Sequence, residues 1–305
     1  MSSGSDAGLD VASGEENKSK LGLWVRGARP RTLGAAISPV LVGTAAASRY
    51  GPVVWWRAAL ALVVALALQV GVNYANDYSD GVRGVDVARK GPLRLTASGL
   101  VPARSVKSAA VASFSVAAAA GLGLALAVDL RLLLVGVAAI AAAALYSGGP
   151  RPYASAGLGE VSVLVFFGLV ATCGSAYVQL HRVPVVAVVG SVGVGLLACA
   201  ILLVNNLRDV ETDAASGKRT LAVRIGATQA RRLYQLCVAG GVATGGGLAV
   251  SAPGAALCLL AAPLAAGPMG TVARRRDPPS LVAALVGTVR LQLAFSALLA
   301  LGLWL

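Results

Sequence analysis

Residues 55–80, WWRAALALVVALALQVGVNYANDYSD, decide the fold because they join a long apolar run to a cluster of amides and carboxylates. Between residues 58 and 72 the only polar side chain is Gln69. A second apolar run ends in the same way, with NNLRDVETD at residues 205–213. Ionisable side chains beside membrane-like segments are costly and usually functional. We therefore interpret the two stretches as one cation site.

Acidic side chains are scarce in the rest of the chain. There are 13 Asp and Glu residues, and four of them lie in a polar leader formed by residues 1–20. Six of the other nine fall in the two stretches: Asp77, Asp80, Asp86, Asp209, Glu211 and Asp213. This concentration indicates a site that needs carboxylates and not a scatter of solvated charges.

The composition is that of an integral membrane protein. Apolar residues make up 57% of the 305 residues and charged residues 13%, against roughly half and a quarter in soluble chains. The net charge of +13 is explained by basic loops that face anionic lipid, so we predict membrane lipid and no nucleic acid as a partner. The four cysteines lie in apolar runs without a CxxC pair, which argues against a zinc site.

Nine apolar segments follow the leader, and we interpret them as transmembrane helices. They cover residues 33–48, 55–79, 105–128, 130–147, 158–180, 184–207, 229–250, 253–272 and 281–304. The leader, residues 1–20, has the composition of a disordered segment. We predict that residues 21–305 form a single all-α domain, in which nine transmembrane helices surround a central cavity.

The basic residues predict the orientation of this domain. With the N-terminus in the cytoplasm, the inside segments hold 21 Lys and Arg residues and the outside loops hold four. Cytoplasmic loops are enriched in Lys and Arg, so this arrangement is the favoured one. Both acidic stretches then face the cytoplasm.

Helical spacing places the polar side chains of each stretch on one helix face. In the first stretch the spacing is i, i+3, i+4 and i+7, for Asn73, Asn76, Asp77 and Asp80. In the second it is i, i+3 and i+7, for Asn206, Asp209 and Asp213. Hard oxygen ligands suit Mg²⁺, which also shares a diphosphate. The predicted metal ligands are Asn76, Asp77, Asp80, Asp209 and Asp213, and the four aspartates are the predicted catalytic residues.

Basic residues stand beside both stretches, as a complex of metal and diphosphate requires. We predict that the substrate contacts Asn73, Asn76, Arg83, Lys218 and Arg219, with Arg29 as a further candidate that lipid anchoring explains equally well. The chemistry indicated is ionisation of an allylic diphosphate, with an apolar chamber that excludes water from the carbocation. A structural ion-pair cluster and a cation-coupled transporter are the alternatives.

The two stretches resemble the signatures of the UbiA superfamily of intramembrane aromatic prenyltransferases. The first signature, NDxxD followed by another Asp, is matched by Asn76, Asp77, Asp80 and Asp86; the second, DxxxD, is matched by Asp209 and Asp213. Asp86 follows Asp80 by six residues, where many members have four, so Asp86 is not among the predicted ligands.

Within the superfamily the chain is similar to the branch that prenylates 1,4-dihydroxy-2-naphthoate on the menaquinone pathway. This resemblance spans residues 29–221 and includes RPRTL at 29–33, GLGE at 157–160, FFG at 166–168 and GKRTL at 217–221. It implies Mg²⁺-dependent transfer from polyprenyl diphosphate, with decarboxylation to demethylmenaquinol, at the bacterial cytoplasmic membrane. Other aromatic acceptors, such as 4-hydroxybenzoate and homogentisate, are the alternatives, and the prenyl length and oligomeric state stay open.

Three residues are candidates for contacts with the aromatic acceptor. Glu160 is a carboxylate inside an apolar segment, where ionisable groups are usually functional, and we predict that it orients the acceptor or a basic partner; a polar contact between helices is the alternative. Tyr146 is a candidate for contact with the acceptor or the carbocation, and a tyrosine at the membrane interface needs no such role. Arg151 is a candidate partner of the naphthoate carboxylate, or else an ordinary cytoplasmic charge.

Overall fold

The structure is a computed structural model, and it describes residues 21–84 and 93–305. All regular elements in these ranges are helices. The first half contains α1 (residues 21–28), α2 (Gly34–Ser48), α3 (Trp55–Val82), α4 (Ala103–Ala127) and α5 (Leu132–Ser147). The predicted leader and Asp86 lie outside the described residues.

The second half continues as helices in the same manner. Its elements are α6 (Gly159–Leu180), α7 (Val185–Arg208), α8 (Val210–Ala215), α9 (Leu221–Ala249), a 3₁₀ helix (Pro253–Ala261), α10 (Pro263–Arg274) and α11 (Pro278–Trp304). Within α6, the segment Leu164–Val170 has π-helical hydrogen bonding.

Every predicted apolar segment coincides with a helix or with a pair of helices. Among the described residues, five helices are long and apolar enough to cross a membrane: α3, α4, α6, α7 and α11. A sixth span results if the 3₁₀ helix and α10, which meet at a bend of 43°, are counted together. Because α2 and α5 have only 15 and 16 residues, the total of nine spans and the orientation stay predictions.

Two helices differ from the predicted segments for local reasons. The helix predicted to begin at residue 229 begins at Leu221, and Gly226 breaks its regular geometry with a φ of 79°. The part before residue 229 carries Arg224, and apolar periodicity alone misses a helical turn that holds a charge. The last helix begins at Pro278 because Asp277 accepts a hydrogen bond from the backbone N–H of Ser280, which is a regular N-cap.

The packed core lies on one side of the molecule. Buried apolar residues from α2, α7, α9 and α11 form one continuous cluster that includes Val42, Leu197, Tyr234 and Phe295. In α3, by contrast, no residue before Gly71 is buried, and the buried side chains are those of the polar stretch. An α-helix with exposed apolar residues and a buried polar end is suited to lipid, where apolar surface needs no protein cover.

The close approach of the 3₁₀ helix to the C-terminal end of α11 depends on glycine. A Cβ atom at Gly302 would lie 1.9 Å from the carbonyl oxygen of Gly254, and one at Gly254 would lie 2.1 Å from that of Gly302. Because both neighbours are backbone atoms, no side-chain rotation can relieve the overlap. The 3₁₀ helix and α11 therefore pack without intervening side chains.

Replacing Gly302 by Ala is expected to destabilise the protein by about 1–3 kcal/mol, because the added methyl group must push two backbones apart. The apparent Tm of the purified protein in detergent should fall by several degrees. Gly247→Ala is the matched control, since Gly247 lies in α9 with no atom within 4 Å of its added Cβ and Ala favours a helix. An unchanged Tm for Gly302→Ala would contradict the close packing.

Candidate active site

A cavity of about 350 Å³ runs along α3. Ala61 and Asp80 both line it, and a rise of about 1.5 Å per residue separates them by about 28 Å along the helix axis. The two acidic stretches lie at one end, and apolar side chains of α2, α3, α5 and α6 line the remainder. This form suits a molecule with a charged head and a long apolar tail.

Three polar side chains of the first stretch line the polar end: Asn73, Asn76 and Asp80. Asp80 is only 5% exposed. Its Oδ1 lies 2.8 Å from Nζ of Lys218, and its Oδ2 lies 3.8 Å from Nη2 of Arg94. Two cations from distant parts of the chain therefore neutralise this buried carboxylate.

The Oδ1 atom of Asn76 is buried and has no hydrogen-bond partner among the described residues. Leaving a buried carbonyl oxygen without a partner costs free energy. The cost is removed when a cation binds there, so Asn76 has the chemistry of a metal ligand.

Asp77 does not line this cavity, in contrast to the prediction that it binds the metal. Its Oδ2 accepts a hydrogen bond of 2.9 Å from the backbone N–H of Leu95, and its Oδ1 accepts one of 2.8 Å from that of Thr96. At about 100° per residue, Asp77 lies at the edge of the face that Asn76 and Asp80 share. The carboxylate therefore turns toward the loop of residues 93–101.

The second stretch reaches the cavity through a break in the helix. Asp209 lies between the end of α7 and the start of α8, with φ −98° and ψ 5°, so the helix face predicted for Asn206, Asp209 and Asp213 is interrupted there. The backbone N–H of Asp213 still donates to the carbonyl of Asp209 over 2.8 Å, so both carboxylates stay on one side. Asn205, Asn206, Asp209 and Asp213 all line the cavity.

Arg208 holds Asp209 in a two-point ion pair. Its Nη2 lies 2.6 Å from Oδ2 of Asp209, and its Nε lies 2.8 Å from Oδ1. The same Nη2 also donates to Oδ1 of Asn205 over 3.0 Å. Such a bidentate contact fixes the plane of the carboxylate, so the second stretch presents ordered oxygens to the cavity.

The donor set at the polar end fits a hard cation. Its side chains offer carboxylate and amide oxygens, and no group of three or more His, Cys, Asp or Glu side chains in the described residues forms a complete metal cluster. Mg²⁺ suits such an incomplete set of protein ligands, because it keeps several waters and is shared with substrate phosphates.

The predicted cations divide into two groups. Lys218 and Arg29 line the cavity, and Arg29 has an unusual left-handed backbone with a φ of 55°. Arg83 instead donates from Nη1 to the carbonyl of Ser147 over 3.1 Å, and from Nη2 to that of Gly149. Those carbonyls lie at the end of α5 and directly after it, where backbone acceptors lack helical partners. The guanidinium of Arg83 therefore holds the loop that follows α5.

Arg151 and Arg219 are exposed and do not line the cavity. The backbone N–H of Arg219 donates to the carbonyl of Ser155 over 3.0 Å. This contact ties the loop after α8 to the loop before α6, and it leaves the side chain of Arg219 in solvent. The predictions that these two arginines contact the substrate therefore find no support in the geometry.

Glu160 acts on the site through Asn206, to which it is hydrogen-bonded. It is buried, and it does not line the cavity. Its Oε1 accepts a 2.9 Å hydrogen bond from Nδ2 of Asn206, while its Oε2 has no partner among the described residues. Because Nδ2 of Asn206 points to Glu160, the Oδ1 atom of Asn206 is directed away from Glu160. Glu160 orients this amide, and it does not face the cavity in which an acceptor would bind.

Aromatic side chains line the cavity beyond the polar end. Tyr146 meets Tyr153 edge-on, with ring centroids 5.5 Å apart. The hydroxyl of Tyr153 donates to the carbonyl of Ala142 over 2.7 Å, and burial raises the pKa of Tyr153 above its usual value, so this hydroxyl stays protonated. Phe166 and Phe167 follow on the π-helical segment of α6.

The cavity has an incomplete wall between α5 and α6. The extensive contacts of α5 within the described residues are with α3 and α4, and α6 is not among them. Leu134 and Val137 of α5 are 75% and 68% exposed. At the far end, the hydroxyl of Tyr177 donates to the carboxylate of Asp129 over 2.5 Å, which ties α6 to the loop before α5. The gap between α5 and α6 is therefore an opening through which an apolar chain can pass from the cavity into lipid.

Arg94 and Arg208 belong to the basic residues that stand beside the two stretches, but the sequence analysis assigns neither of them a contact with the substrate, and it does not single out Tyr153. Arg208 stands directly beside Asp209, and its proximity was visible in the sequence. Arg94 lies 3.8 Å from Asp80 although 14 residues separate them in the sequence, and no periodicity predicts this contact. Tyr153 lies in the segment GPRPYASAG, which has no motif that marks a cavity residue.

Comparison with known proteins places the chain among related enzymes. Residues 36–295 match the UbiA prenyltransferase family. The chain is 49% identical over 266 residues to a 1,4-dihydroxy-2-naphthoate octaprenyltransferase of Mycobacterium tuberculosis, with 87% of this chain and 91% of the relative covered. It is 37% identical over 309 residues to the protein of the same name from Escherichia coli, with 95% and 98% covered.

Solved structures share the fold at lower identity. A UbiA homolog from Archaeoglobus fulgidus bound to DMAPP and Mg²⁺ matches with a TM-score of 0.65 and 16% identity, over 90% of this chain and 98% of that chain. The apo structure of a UbiA homolog from Aeropyrum pernix K1 matches with a TM-score of 0.63 and 18% identity, over 88% and 96%. Sequence and fold agree, and the chain belongs to the UbiA prenyltransferase family.

Proposed function

We propose that this protein transfers a polyprenyl group from polyprenyl diphosphate to 1,4-dihydroxy-2-naphthoate, with loss of CO₂ and formation of demethylmenaquinol. The observation that supports it best is the cavity, which extends about 28 Å along α3 and whose polar end gathers carboxylates, amides and cations while the rest is apolar. The identity of 49% to an octaprenyltransferase for this naphthoate supports the choice of acceptor.

The proposed Mg²⁺ ligands are the oxygens that face the cavity: Asn76, Asp80, Asp209 and Asp213. Asp77 is left out because it does not line the cavity and its two oxygens accept the backbone N–H groups of residues 95 and 96. When bound, Mg²⁺ would neutralise the diphosphate and so improve it as a leaving group.

The cations of the chain would hold the diphosphate. Arg29, Arg94 and Lys218 line the same end of the cavity, where charge-assisted hydrogen bonds to phosphate oxygens are strong. Lys218 and Arg94 neutralise Asp80 in the structure, and both become available to the diphosphate when Asp80 takes a metal. They stabilise the negative charge that grows as the carbon–oxygen bond of the donor breaks.

The apolar part of the cavity would hold the prenyl chain and protect the carbocation from water. The rings of Tyr146, Phe166 and Phe167 line this part, and aromatic faces favour a positive charge. The ring carbon that bears the carboxylate forms the new carbon–carbon bond. The bond to CO₂ then breaks, and its electron pair restores the aromatic ring.

We also propose a membrane arrangement for this chemistry. Residues 21–305 would form one domain, since its main core joins residues from Ala35 to Leu303. Nine spans with the polar end on the cytoplasmic side of the bacterial membrane are supported by the 21 basic residues that this orientation places inside. A water-soluble naphthoate would then approach from the cytoplasm and the prenyl chain from lipid.

Turnover of the purified protein with Mg²⁺, octaprenyl diphosphate and a panel of aromatic acids tests the reaction. Prenylated and decarboxylated naphthoquinol is expected, and EDTA should abolish it because the metal neutralises the leaving group. The control is EDTA followed by excess Mg²⁺, which should restore activity. Product from 4-hydroxybenzoate alone would overturn the acceptor, and ion transport without prenyl transfer would overturn the reaction class.

Replacing Asp80 by Asn should lower kcat at least about 100-fold, because the variant loses a metal ligand and leaves two cations without their carboxylate. Asp277→Asn is the matched control, since Asp277 is an exposed N-cap and Asn serves equally well there. The apparent Tm of each variant shows whether it is folded. A folded Asp80→Asn protein with normal kcat contradicts the proposed site.

Replacing Ala139 by Phe should shorten the apolar chamber. Ala139 lines the cavity on α5, about 12 Å from Ser147 at the polar end along the helix axis. Turnover with octaprenyl diphosphate should fall at least about tenfold, while geranyl diphosphate should still react, because only the long chain must pass the new ring. Ala141→Phe is the control, since Ala141 is exposed on the same helix. Equal loss with both donors contradicts the proposed path of the chain.

A further inference from the structure

Asp77 belongs to the first acidic stretch, and the proposed chemistry leaves it without a role. It is 2% exposed, and its two oxygens accept the backbone N–H groups of Leu95 and Thr96 over 2.9 and 2.8 Å. A carboxylate that accepts two backbone N–H groups makes strong charge-assisted bonds. Asp77 therefore fixes the backbone of the loop directly after Arg94.

That loop is packed as tightly as a core element. Leu95 is fully buried, and a Cβ atom at Gly27 of α1 would lie 2.5 Å from its Cδ1. On the other side, a Cβ at Gly81 of α3 would lie 2.5 Å from Cβ of Thr96. A larger residue at Gly81 would push the loop away from α3, and one at Gly27 would force the side chain of Leu95 to move. The loop is thus packed between α1 and α3, and Asp77 holds its backbone at Leu95 and Thr96.

The same side of α3 also holds α1. The hydroxyl of Tyr74 donates to the carbonyl of Trp24 over 2.8 Å, and Nδ2 of Asn73 donates to the carbonyl of Ala28 over 2.9 Å. Residues 21–33 and 93–101 thus form one structure on α3, which we call the cytoplasmic cap. Two of its four arginines, Arg29 and Arg94, line the polar end of the cavity.

The position of Arg94 links the cap to the site. Its guanidinium lies 3.8 Å from Asp80, with its side chain 10% exposed. Asp80 follows Asp77 by about one helical turn, so the two carboxylates hold successive residues of one loop: Asp77 the backbone beside Arg94, and Asp80 the side chain of Arg94. The backbone contact decides where the guanidinium can reach.

We propose that Asp77 is a positioning residue: it binds no metal, and it holds the cap so that Arg94 contacts the diphosphate of the substrate. The inference rests on the proposed function for the nature of the ligand. It assigns a different task to each carboxylate of the NDxxD signature, since Asp80 faces the cavity and Asp77 faces the loop.

The test measures equilibrium binding of geranyl diphosphate to the full-length protein in lipid nanodiscs, with no acceptor present. Dissociation constants are measured at saturating Mg²⁺, and the half-saturating Mg²⁺ concentration is measured at saturating donor. Four proteins are compared with the wild type: Asp77→Ala, Arg94→Ala, the double variant and Glu211→Ala. Glu211 is the matched control because it is an exposed carboxylate of the second stretch that does not line the cavity.

Asp77→Ala and Arg94→Ala should each weaken donor binding about tenfold, which corresponds to one lost charge-assisted contact. The double variant should be no more than about twofold weaker than either single variant, since both changes remove the same contact. The half-saturating Mg²⁺ concentration should stay at the wild-type value, as should all binding by Glu211→Ala. In turnover, KM for the donor should rise more than kcat falls.

A higher Mg²⁺ requirement for Asp77→Ala would overturn the proposal, because a metal ligand produces that result. Additive effects in the double variant would overturn it too. If Asp77→Ala has no thermal transition, Asp77→Asn replaces it, since Asn keeps one acceptor oxygen and should bind donor with an intermediate constant. A folded Asp77→Asn protein with wild-type donor binding contradicts the proposal. Because no acceptor is present, an error in the naphthoate assignment leaves this test intact.

Discussion

The ion pair between Asp80 and Lys218 is the contact on which the rest of the site depends. A buried carboxylate costs several kcal/mol unless a cation compensates it, and Asp80 is almost fully buried at the end of α3. Lys218 supplies that compensation from the loop after α8, at 2.8 Å. The pair joins the first acidic stretch to the segment that follows the second. Helices separated by more than a hundred residues must therefore converge at one end of the bundle.

Convergence at one end leaves the other part of the cavity open to apolar material. The buried residues of α3 begin at Gly71 and include the polar stretch, while its apolar part faces the cavity and the surroundings. In water such a helix would be unstable, because its exposed surface is apolar. In a bilayer lipid solvates that surface, and the loose contact between α5 and α6 costs little. The opening between α5 and α6 also gives a long prenyl chain a path into lipid, which a closed cavity would not provide.

The sequence was sufficient to predict the helices and the polar end, because both follow from periodicity. Asn76 and Asp80 share a helix face, and so the spacing places them together. Asp77 is only one residue from Asn76, and helical geometry alone cannot tell whether such an edge position turns to the cavity or to a loop. The loop of residues 93–101 decides it, through backbone N–H groups that no side-chain pattern shows. Arg83 was misjudged for a related reason, since the carbonyls of Ser147 and Gly149 lie far from it in sequence.

The charges of the polar end explain why metal and diphosphate should bind together. Three carboxylates line it, Asp80, Asp209 and Asp213, and the cations Arg29, Arg94 and Lys218 line the same space. Arg208 adds a further positive charge on Asp209, so the protein groups alone are close to neutral. Mg²⁺ alone would add positive charge beside these cations, and diphosphate alone would add negative charge beside the carboxylates. Uncompensated charge is costly in a region of low dielectric constant. A metal–diphosphate complex adds little net charge, and it gives each carboxylate a metal and each cation a phosphate oxygen. Coupled binding of this kind follows from electrostatic balance, because each partner raises the affinity for the other by the same factor.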